Sequence, residues 1–395
     1  MTTNNYPVPA SIDRYGRNGL FAAVIGFLAL IISIFAISST QFFHSYFLGY
    51  MVFVGLCAGS LGLLMLQYVS GGAWGVITRR IYEAASRIFP IAAVLFIPIF
   101  FGMKDMYSWT NPVIVKASES ISQKTAWLNS PFWIIRTVLY FAFWITVSIV
   151  LNRYSKNLDE SPGFKWSRKL ENFSGGGFLF HFVIMTFAAL DWIMSLLPEW
   201  YSTIYGFIII VGQGILALTF AIIILSLLSK EEPLVSILKP VHLHDLGKLL
   251  FALNFLWGYL CFSQLIITYA GNLPEEILWY HQRIRGGWVV VAYMVIFIHF
   301  ILPFALLLSR DLKRSMKTLM PVAILLFVMR IVDLYWLIEP NWHREEFFFS
   351  WADIAAPLGF AGLFLFLFVR EYKKRNMLPL GEPELELTLH PKGVH

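Results

Sequence analysis

Between Tyr46 and Val69 the chain reads YFLGYMVFVGLCAGSLGLLMLQYV, 24 residues without any Asp, Glu, Lys or Arg. A helix needs about 20 mainly apolar residues to cross the hydrocarbon core of a bilayer. Nine further stretches have a similar character, and the shortest of them is 88–101. The sequence therefore predicts ten membrane-spanning helices, over residues 19–37, 46–69, 88–101, 132–151, 177–197, 204–228, 246–270, 288–308, 319–338 and 351–369.

The composition supports this interpretation. Of the 395 residues, 58% are apolar and only 14% are charged, whereas soluble proteins carry about 25% charged residues. So much apolar surface has to face lipid, and the fold class we predict is all-α and integral to the membrane. The two cysteines, Cys57 and Cys261, lie in apolar spans and form no CxxC or CxxCH motif. We therefore expect this chain to bind no metal, haem or iron–sulfur cluster of its own.

The distribution of basic residues predicts the orientation. In a ten-span topology, 22 of the 30 Lys and Arg residues lie on the side of the N-terminus and 6 on the other side, while Arg136 and Arg330 fall inside spans. Basic residues accumulate on the cytoplasmic side of membrane proteins. We expect both chain ends in the cytoplasm, with residues 371–395 as a cytoplasmic tail. The net charge of +6 comes from these short clusters beside the spans, so it indicates no nucleic-acid partner.

Four of the charged residues within the predicted spans lie at similar depths in the outer third of the membrane. They are Arg136, Asp191, Arg330 and Asp333. Charges at this depth are costly, and they commonly mark a functional site. Arg330 and Asp333 are spaced i,i+3 and can pair on one helix face, which leaves Arg136 to neutralise Asp191. We expect one polar cluster, either a proton site controlled by charge pairing or a static network that fixes the helices.

A second polar layer lies deeper, toward the predicted cytoplasmic side. It consists of His181, His299, Gln213 and Asn254. Two histidines at similar depth are compatible with axial haem ligation, but hydrogen bonding across helices or a water-lined proton path is the favoured interpretation, because histidine titrates near neutral pH. The predicted path enters near His181, passes Gln213 or Asn254, and leaves by Asp191 or Asp333.

The motif HLHD precedes the seventh span and contains His242, His244 and Asp245, with Lys248 one turn later. Two histidines and a carboxylate this close are a candidate metal site. No third or fourth ligand follows at a suitable spacing. We therefore prefer a role for Asp245 in capping the helix.

Three stretches resemble a known family. They are FFHSYFLGYMVFVGLCAGSLGLLML at 42–66 running into SGGAWGVITRRIYEAASR at 70–87, then KPVHLHDLGKLLFALNFLWGYLCFSQLIITYAGNLPEEILWY at 239–280, and RGGW at 285–288. Together they resemble the ActF family, one of the membrane components of Alternative Complex III, the bacterial quinol:cytochrome c oxidoreductase. That family is similar to the NrfD/PsrC-like superfamily of quinone-interacting membrane anchors. The resemblance covers essentially the whole chain.

The resemblance implies a bacterial inner-membrane protein with two four-helix bundles, spans two to five and six to nine, plus peripheral first and tenth spans. It also implies partners that carry the haem c groups and iron–sulfur clusters. These are a homologous ten-span membrane subunit, an iron–sulfur subunit, multihaem cytochrome c subunits, small membrane subunits and, in several bacteria, a cytochrome oxidase. The homologous quinol-reacting subunit carries a histidine where this chain has Cys57. Since a thiol accepts protons from quinol poorly, this departure argues against quinone chemistry in this chain.

These observations predict a membrane subunit of a quinol-oxidising respiratory complex that takes part in proton translocation and subunit docking. One alternative is a subunit with its own quinone or menaquinone site. Another alternative is an independent secondary transporter, for which Gly or Pro breaks near mid-membrane in both halves are typical. Gly212 and Gly214 form such a break only in the sixth span.

Overall fold

The computed structural model describes residues 6–344, residues 346–382 and Leu385. Over these residues the chain is helical and contains no strand. Ten helices are long and apolar enough to cross a membrane, as the sequence predicts. They are α1 (Ile12–Ala36), α2 (Ser39–Ser70), α3 (Ala73–Phe101), α4 (Ser130–Glu160), α5 (Phe164–Leu196), α6 (Tyr205–Leu228), α7 (Pro240–Gly271), α8 (Trp288–Leu308), α9 (Met316–Asn341) and α10 (Ala352–Tyr372).

The largest departure from the predicted bounds is the start of α3, which begins at Ala73 rather than at residue 88. Its first three turns carry Arg79, Arg80 and Glu83, and all three side chains are buried. Hydropathy cannot recognise this segment as part of a span, because its charges are covered by protein rather than by lipid. The helix is interrupted, and new helical segments begin at Phe89 and Ile97.

The helices form the two predicted bundles. In the first bundle, α2 and α4 each pack on both α3 and α5. In the second bundle, α6 and α8 each pack on both α7 and α9. The bundles meet where α2 packs against α6. At this contact a Cβ atom on Gly59 would lie 2.0 Å from the carbonyl oxygen of Gln213. Only glycine permits the two backbones to approach so closely.

The first and last helices pack on one another outside the bundles. A Cβ atom on Gly26 of α1 would lie 2.5 Å from Cα of Gly359 on α10, so the two helices touch backbone to backbone. On its other side α10 contacts both bundles, because Phe364 packs edge-on against Phe53 of α2 and Phe220 of α6. Helix α1 is therefore peripheral, and α10 also covers the junction between the bundles.

The outward surfaces of the helices are apolar. Phe21 and Phe35 of α1, Phe101 of α3 and Tyr269 of α7 are among the large side chains left exposed, at 68%, 87%, 77% and 81% of their surface respectively. Apolar surface on this scale is compatible with lipid and not with water. The chain is therefore a multi-pass integral membrane protein.

We call the end of the molecule at which α1 begins the N-terminal face, and the other end the opposite face. Interactions at the N-terminal face tie the two chain ends together. Lys373 forms a 2.7 Å ion pair with Asp13, and the Met377 amide donates to the Tyr6 carbonyl at 2.8 Å. Helix α10 continues to Tyr372, beyond the start of the predicted tail, and the tail residues up to 382 lie against this face. Apart from Leu385, the remaining residues of the predicted tail lie outside the described residues.

Candidate functional site

The second bundle contains a buried ion pair on α9. Arg330 Nη1 donates to Asp333 Oδ2, as the i,i+3 spacing predicts, and both side chains are at most 1% exposed. The pair satisfies only part of its hydrogen-bonding capacity. Nε and Nη2 of Arg330 and Oδ1 of Asp333 are buried without a partner in the described protein. A buried charged pair with open donors and acceptors is costly unless other polar groups or water complete it.

His299 is close enough to Arg330 to interact with it electrostatically, and it lies in a segment of α8 that is wound as a π-helix from Val295 to Ile301. Such wide turns are rare and occur frequently at functional sites. The ring is fully buried, and neither nitrogen has a protein partner in the described structure. It packs edge-on against Trp257 of α7, with ring centroids 4.3 Å apart. The π-helical segment packs against α9, which brings His299 to the side of the bundle that holds the ion pair.

Two predicted polar residues border the same region. Asn254 of α7 donates from Nδ2 to the Phe300 carbonyl in the π-helical segment at 3.2 Å, and its Oδ1 has no protein partner where the structure is described. Gln213 of α6 also has an unpartnered buried Oε1. Its neighbour Gly212 lies directly against the Arg330 guanidinium, since a Cβ atom there would come within 2.2 Å of Arg330 Cζ. The missing side chain at residue 212 is what makes room for the arginine.

A cavity of about 480 Å³ lies among α6, α7, α8 and α9. Asp333 reaches this cavity, and most of the remaining lining is aromatic or aliphatic. Its few polar groups include Tyr205, Gln264 and Tyr280. A mainly apolar cavity of this size with a few convergent polar groups is typical of a ligand site.

The other predicted ion pair lies in the first bundle, and its carboxylate is fully hydrogen-bonded. Asp191 of α5 receives a two-pronged contact from Arg136 of α4, with both nitrogen–oxygen distances 2.7 Å. The Tyr140 hydroxyl and Trp127 Nε1 donate to the same carboxylate at 2.6 and 2.9 Å. The Arg136 guanidinium also contacts the rings of Trp127 and Phe132, 4.1 and 4.3 Å from their centroids. With every oxygen satisfied, this pair has the character of a fixed structural contact.

The sequence predicts one cluster of four charged residues. The structure instead contains two separate ion pairs, one per bundle, and no hydrogen bond or salt bridge in the described part of the chain joins them. The reason is that Arg330 and Asp333 neutralise one another on α9, while Asp191 is already saturated by side chains from α4 and the preceding loop.

His181 of α5 lines a second cavity, of about 220 Å³, where α2, α5, α6 and α7 meet. Gln213 lines the same cavity, so the structure brings these two predicted residues together. His299, in contrast, packs against Trp257 inside the second bundle. The two histidines thus face different surroundings, and this arrangement does not support a shared haem between them.

The HLHD motif caps α7, but through a different residue than predicted. The helix begins at Pro240, and Nδ1 of His242 accepts a hydrogen bond from the Lys239 amide at 3.2 Å. Asp245 lies further along the helix and pairs with Lys248 at 3.3 Å. The capping role assigned to Asp245 is therefore wrong, because the helix starts six residues, or nearly two turns, earlier than the hydropathy indicates.

Sequence reasoning missed a buried charged network at the N-terminal face. The Glu83 carboxylate is fully buried and binds Arg80 at 2.7 Å, Arg375 at 3.1 Å and the Ser155 hydroxyl at 2.6 Å. The signal that indicates this network is the row of arginines from residue 79 to residue 87, which has an acidic residue inside it. The network joins α3 to α4 and to the chain after α10.

A second missed group lies at the opposite face. His44 at the start of α2 comes together with Glu339 and His343 at the end of α9. His343 lies outside the spanning helices, and burial lowers the pKa of its imidazole. Neither the spacing nor the local sequence of these residues indicates that they meet.

No protein-family model matches this sequence, and no curated protein matches it. The fold and the site define a class of protein: an α-helical multi-pass membrane protein with an incompletely satisfied ion pair buried in its second bundle.

Proposed function

We propose that this chain is an integral membrane subunit of a respiratory quinol:cytochrome c oxidoreductase, or of a complex with another periplasmic acceptor, of the Alternative Complex III type. It resides in the bacterial inner membrane with both termini in the cytoplasm. Within the complex, the bundle α6–α9 transfers protons. The observation that carries this proposal is the Arg330–Asp333 pair, which is buried, has unpartnered polar atoms and borders a cavity of about 480 Å³.

The two ion pairs suggest different roles. An arginine beside a carboxylate favours the ionised carboxylate, so a carboxylate that carries protons needs its arginine to move away during the cycle. Asp191 is held by three side chains at once, which opposes such movement. Asp333 has one partner, and the Arg330 guanidinium has free donors that allow it to change partners. Of the two predicted exit residues, Asp333 is therefore the one we assign.

The route that we propose for protons runs from His181 through Gln213 to this site. His181 and Gln213 share the smaller cavity, and Gly212, next in sequence to Gln213, touches the Arg330 guanidinium. His299 and Asn254, on α8 and α7, supply further unpartnered polar atoms within the second bundle. Water chains need such polar partners. Protons from the cytoplasm would pass His181 and Gln213 and reach Asp333 when Arg330 moves aside.

Electron transfer belongs to the partner subunits in this proposal. They are the iron–sulfur subunit and the multihaem cytochrome c subunits, together with the homologous ten-span subunit, the small membrane subunits and, in some bacteria, a cytochrome oxidase. The family resemblance supports this assignment. Quinol oxidation by the homologous subunit would drive the movement of Arg330.

Membership of the complex is tested by purification from native membranes through an affinity tag on this chain. We expect haem c absorbance, iron–sulfur clusters and quinol:cytochrome c oxidoreductase activity to copurify in fixed proportion. A tagged chain that purifies alone, without haem and without oxidoreductase activity, contradicts the proposal and favours an independent transporter.

The larger cavity favours a second candidate function, a quinone or menaquinone site in this chain. A quinone is a flat apolar ring with two carbonyl oxygens, and the aromatic lining with Gln264 and Tyr280 suits such a ring. A photoreactive quinone analogue tests this candidate in the purified complex. Labelling of peptides from α7 and α8, which excess quinone prevents, supports the site; labelling confined to other subunits contradicts it.

A further inference from the structure

Three potential metal ligands meet at the opposite face, away from the proposed proton site. His44, Glu339 and His343 each place one ligand atom within 4.8 Å of the other two. His44 belongs to α2 of the first bundle, and Glu339 ends α9 of the second bundle. The group therefore lies where the two bundles face one another.

The Glu339 carboxylate is the most unusual member of the group. Its side chain is fully buried, and neither oxygen has a hydrogen-bond partner in the described part of the molecule. No Lys or Arg forms a described salt bridge with it, and its one ion-pair contact is His343 Nε2 at 4.0 Å. A buried ionised carboxylate needs a counter-charge or hydrogen bonds to remain in the interior. A bound cation supplies both requirements at once.

His44 is oriented as a metal-binding histidine. Its Nε2 lies 3.3 Å from the Asp105 carbonyl oxygen, and a hydrogen bond donated there leaves the lone pair on Nδ1, which is buried without a protein partner where the structure is described. Ligating histidines in metal sites usually donate their other N–H to a carbonyl or carboxylate in this way. The ring is also stacked on Trp342, with centroids 3.8 Å apart.

The third ligand is held on the accessible side of the group. The His343 ring stacks on Phe348, with centroids 4.1 Å apart, and 27% of its side chain is exposed. The partners of both histidines are thus aromatic rings that fix the imidazole planes. An ion would reach the group from the side of His343.

Against the expectation from the sequence that this chain binds no metal, we propose that His44, Glu339 and His343 bind a divalent transition-metal ion, with Zn²⁺ as the best match to two imidazoles and one carboxylate. Ligand atoms around a tetrahedral zinc stand roughly 3.4 Å apart, so the side chains close by about 1.4 Å at most from their present separation. Water completes the fourth position. The ion neutralises Glu339 and joins the ends of α2 and α9 that lie at the opposite face. It therefore fixes one bundle against the other. The argument for this site does not rest on the proposed proton transfer.

The test measures zinc in the purified complex. Complex that carries wild-type chain, His343→Gln or Glu339→Gln is treated with a chelator, incubated with ZnCl₂ and dialysed, and zinc per chain is determined by mass spectrometry. His281→Gln is the matched control, because His281 is a partly exposed histidine outside the group. We expect wild type and His281→Gln to retain about one more zinc per chain than either of the other variants.

The proposal is overturned if wild type, His343→Gln and Glu339→Gln retain equal amounts of zinc. It is also overturned if none of them retains more zinc than the dialysis buffer contains. Zinc X-ray absorption of the wild-type complex gives a second reading that needs no variant to fold. There we expect a metal shell of nitrogen and oxygen with the outer scattering of imidazole. A zinc spectrum without imidazole scattering also overturns the proposal.

Discussion

We expect the substitution of Gly212 of α6 by Ala to separate Arg330 from Asp333 without removing any charged or polar atom. A methyl group at residue 212 would lie 2.2 Å from Cζ and 2.5 Å from Nη2 of Arg330. Carbon atoms prefer separations of about 3.5–4.0 Å. The guanidinium is the flexible end of a long side chain, so we expect it to move by roughly 1.3 Å or more while both helices stay in place.

The size of the effect follows from the contact that is lost. A hydrogen bond to a charged group contributes about 1.5–3 kcal/mol, and complete separation of a buried ion pair costs about 3–5 kcal/mol. Replacing glycine by alanine inside a helix recovers about 1 kcal/mol. We therefore expect Gly212→Ala to lower the free energy of unfolding by about 1–3 kcal/mol.

Gly214→Ala is the matched control on the same helix. Its methyl group would lie 3.6 Å from Leu253 Cδ1, an ordinary contact, so we expect unchanged stability or a gain of up to about 1 kcal/mol. Both variants are compared by thermal unfolding of the complex in detergent and by quinol-driven proton release in vesicles. We expect Gly212→Ala to release fewer protons per electron than Gly214→Ala. If the two variants match in melting temperature and in protons per electron, the reasoning about the Arg330–Asp333 pair is refuted.

Two further substitutions probe the structural charges. Asp191→Asn leaves Arg136 buried without its counter-charge, which lowers the free energy of unfolding by about 3–5 kcal/mol. We therefore expect an immunoblot to show less assembled chain in membranes. The chain that does assemble should keep the wild-type proton-to-electron ratio. Wild-type assembly with a lowered ratio would instead place proton transfer at Asp191. Glu83→Gln breaks the buried network at the N-terminal face and should destabilise the chain by a similar amount. The control is Glu160→Gln, because Glu160 forms an exposed pair with Lys156. This control should change the free energy of unfolding by less than about 1 kcal/mol. Equal melting temperatures for these two variants would show that the Glu83 network contributes little.

The number and order of the helices are predictable because each helix that crosses the lipid needs about 20 mainly apolar residues. The predicted bounds of α8 coincide with the observed helix, Trp288–Leu308, since its flanks are polar and its interior is apolar. Prediction fails where protein rather than lipid or water surrounds a helix. The charged start of α3 is one case, and the nearly two extra turns before residue 246 in α7 are another.

The candidate site was predictable only in part. Arg330 and Asp333 pair because of their spacing on one helix, and that much is visible in the sequence. Which of the two ion pairs is saturated depends on Trp127 and Tyr140, which reach Asp191 from a loop and from α4. The π-helical winding around His299 has no sequence signal that we can identify. Contacts between distant segments decide these features, and hydropathy carries no information about them.

The central claim is that Asp333 carries protons, and the most direct test is the proton-to-electron ratio of the complex with Asp333→Asn. Asparagine keeps the size of the side chain but cannot take up and release a proton near neutral pH. The variant and wild type are reconstituted in vesicles at equal haem content, and quinol oxidation and proton release are recorded together. We expect quinol oxidation to continue with fewer protons released per electron than in wild type. An unchanged ratio at unchanged turnover would contradict the claim and leave the Arg330–Asp333 pair a structural role only.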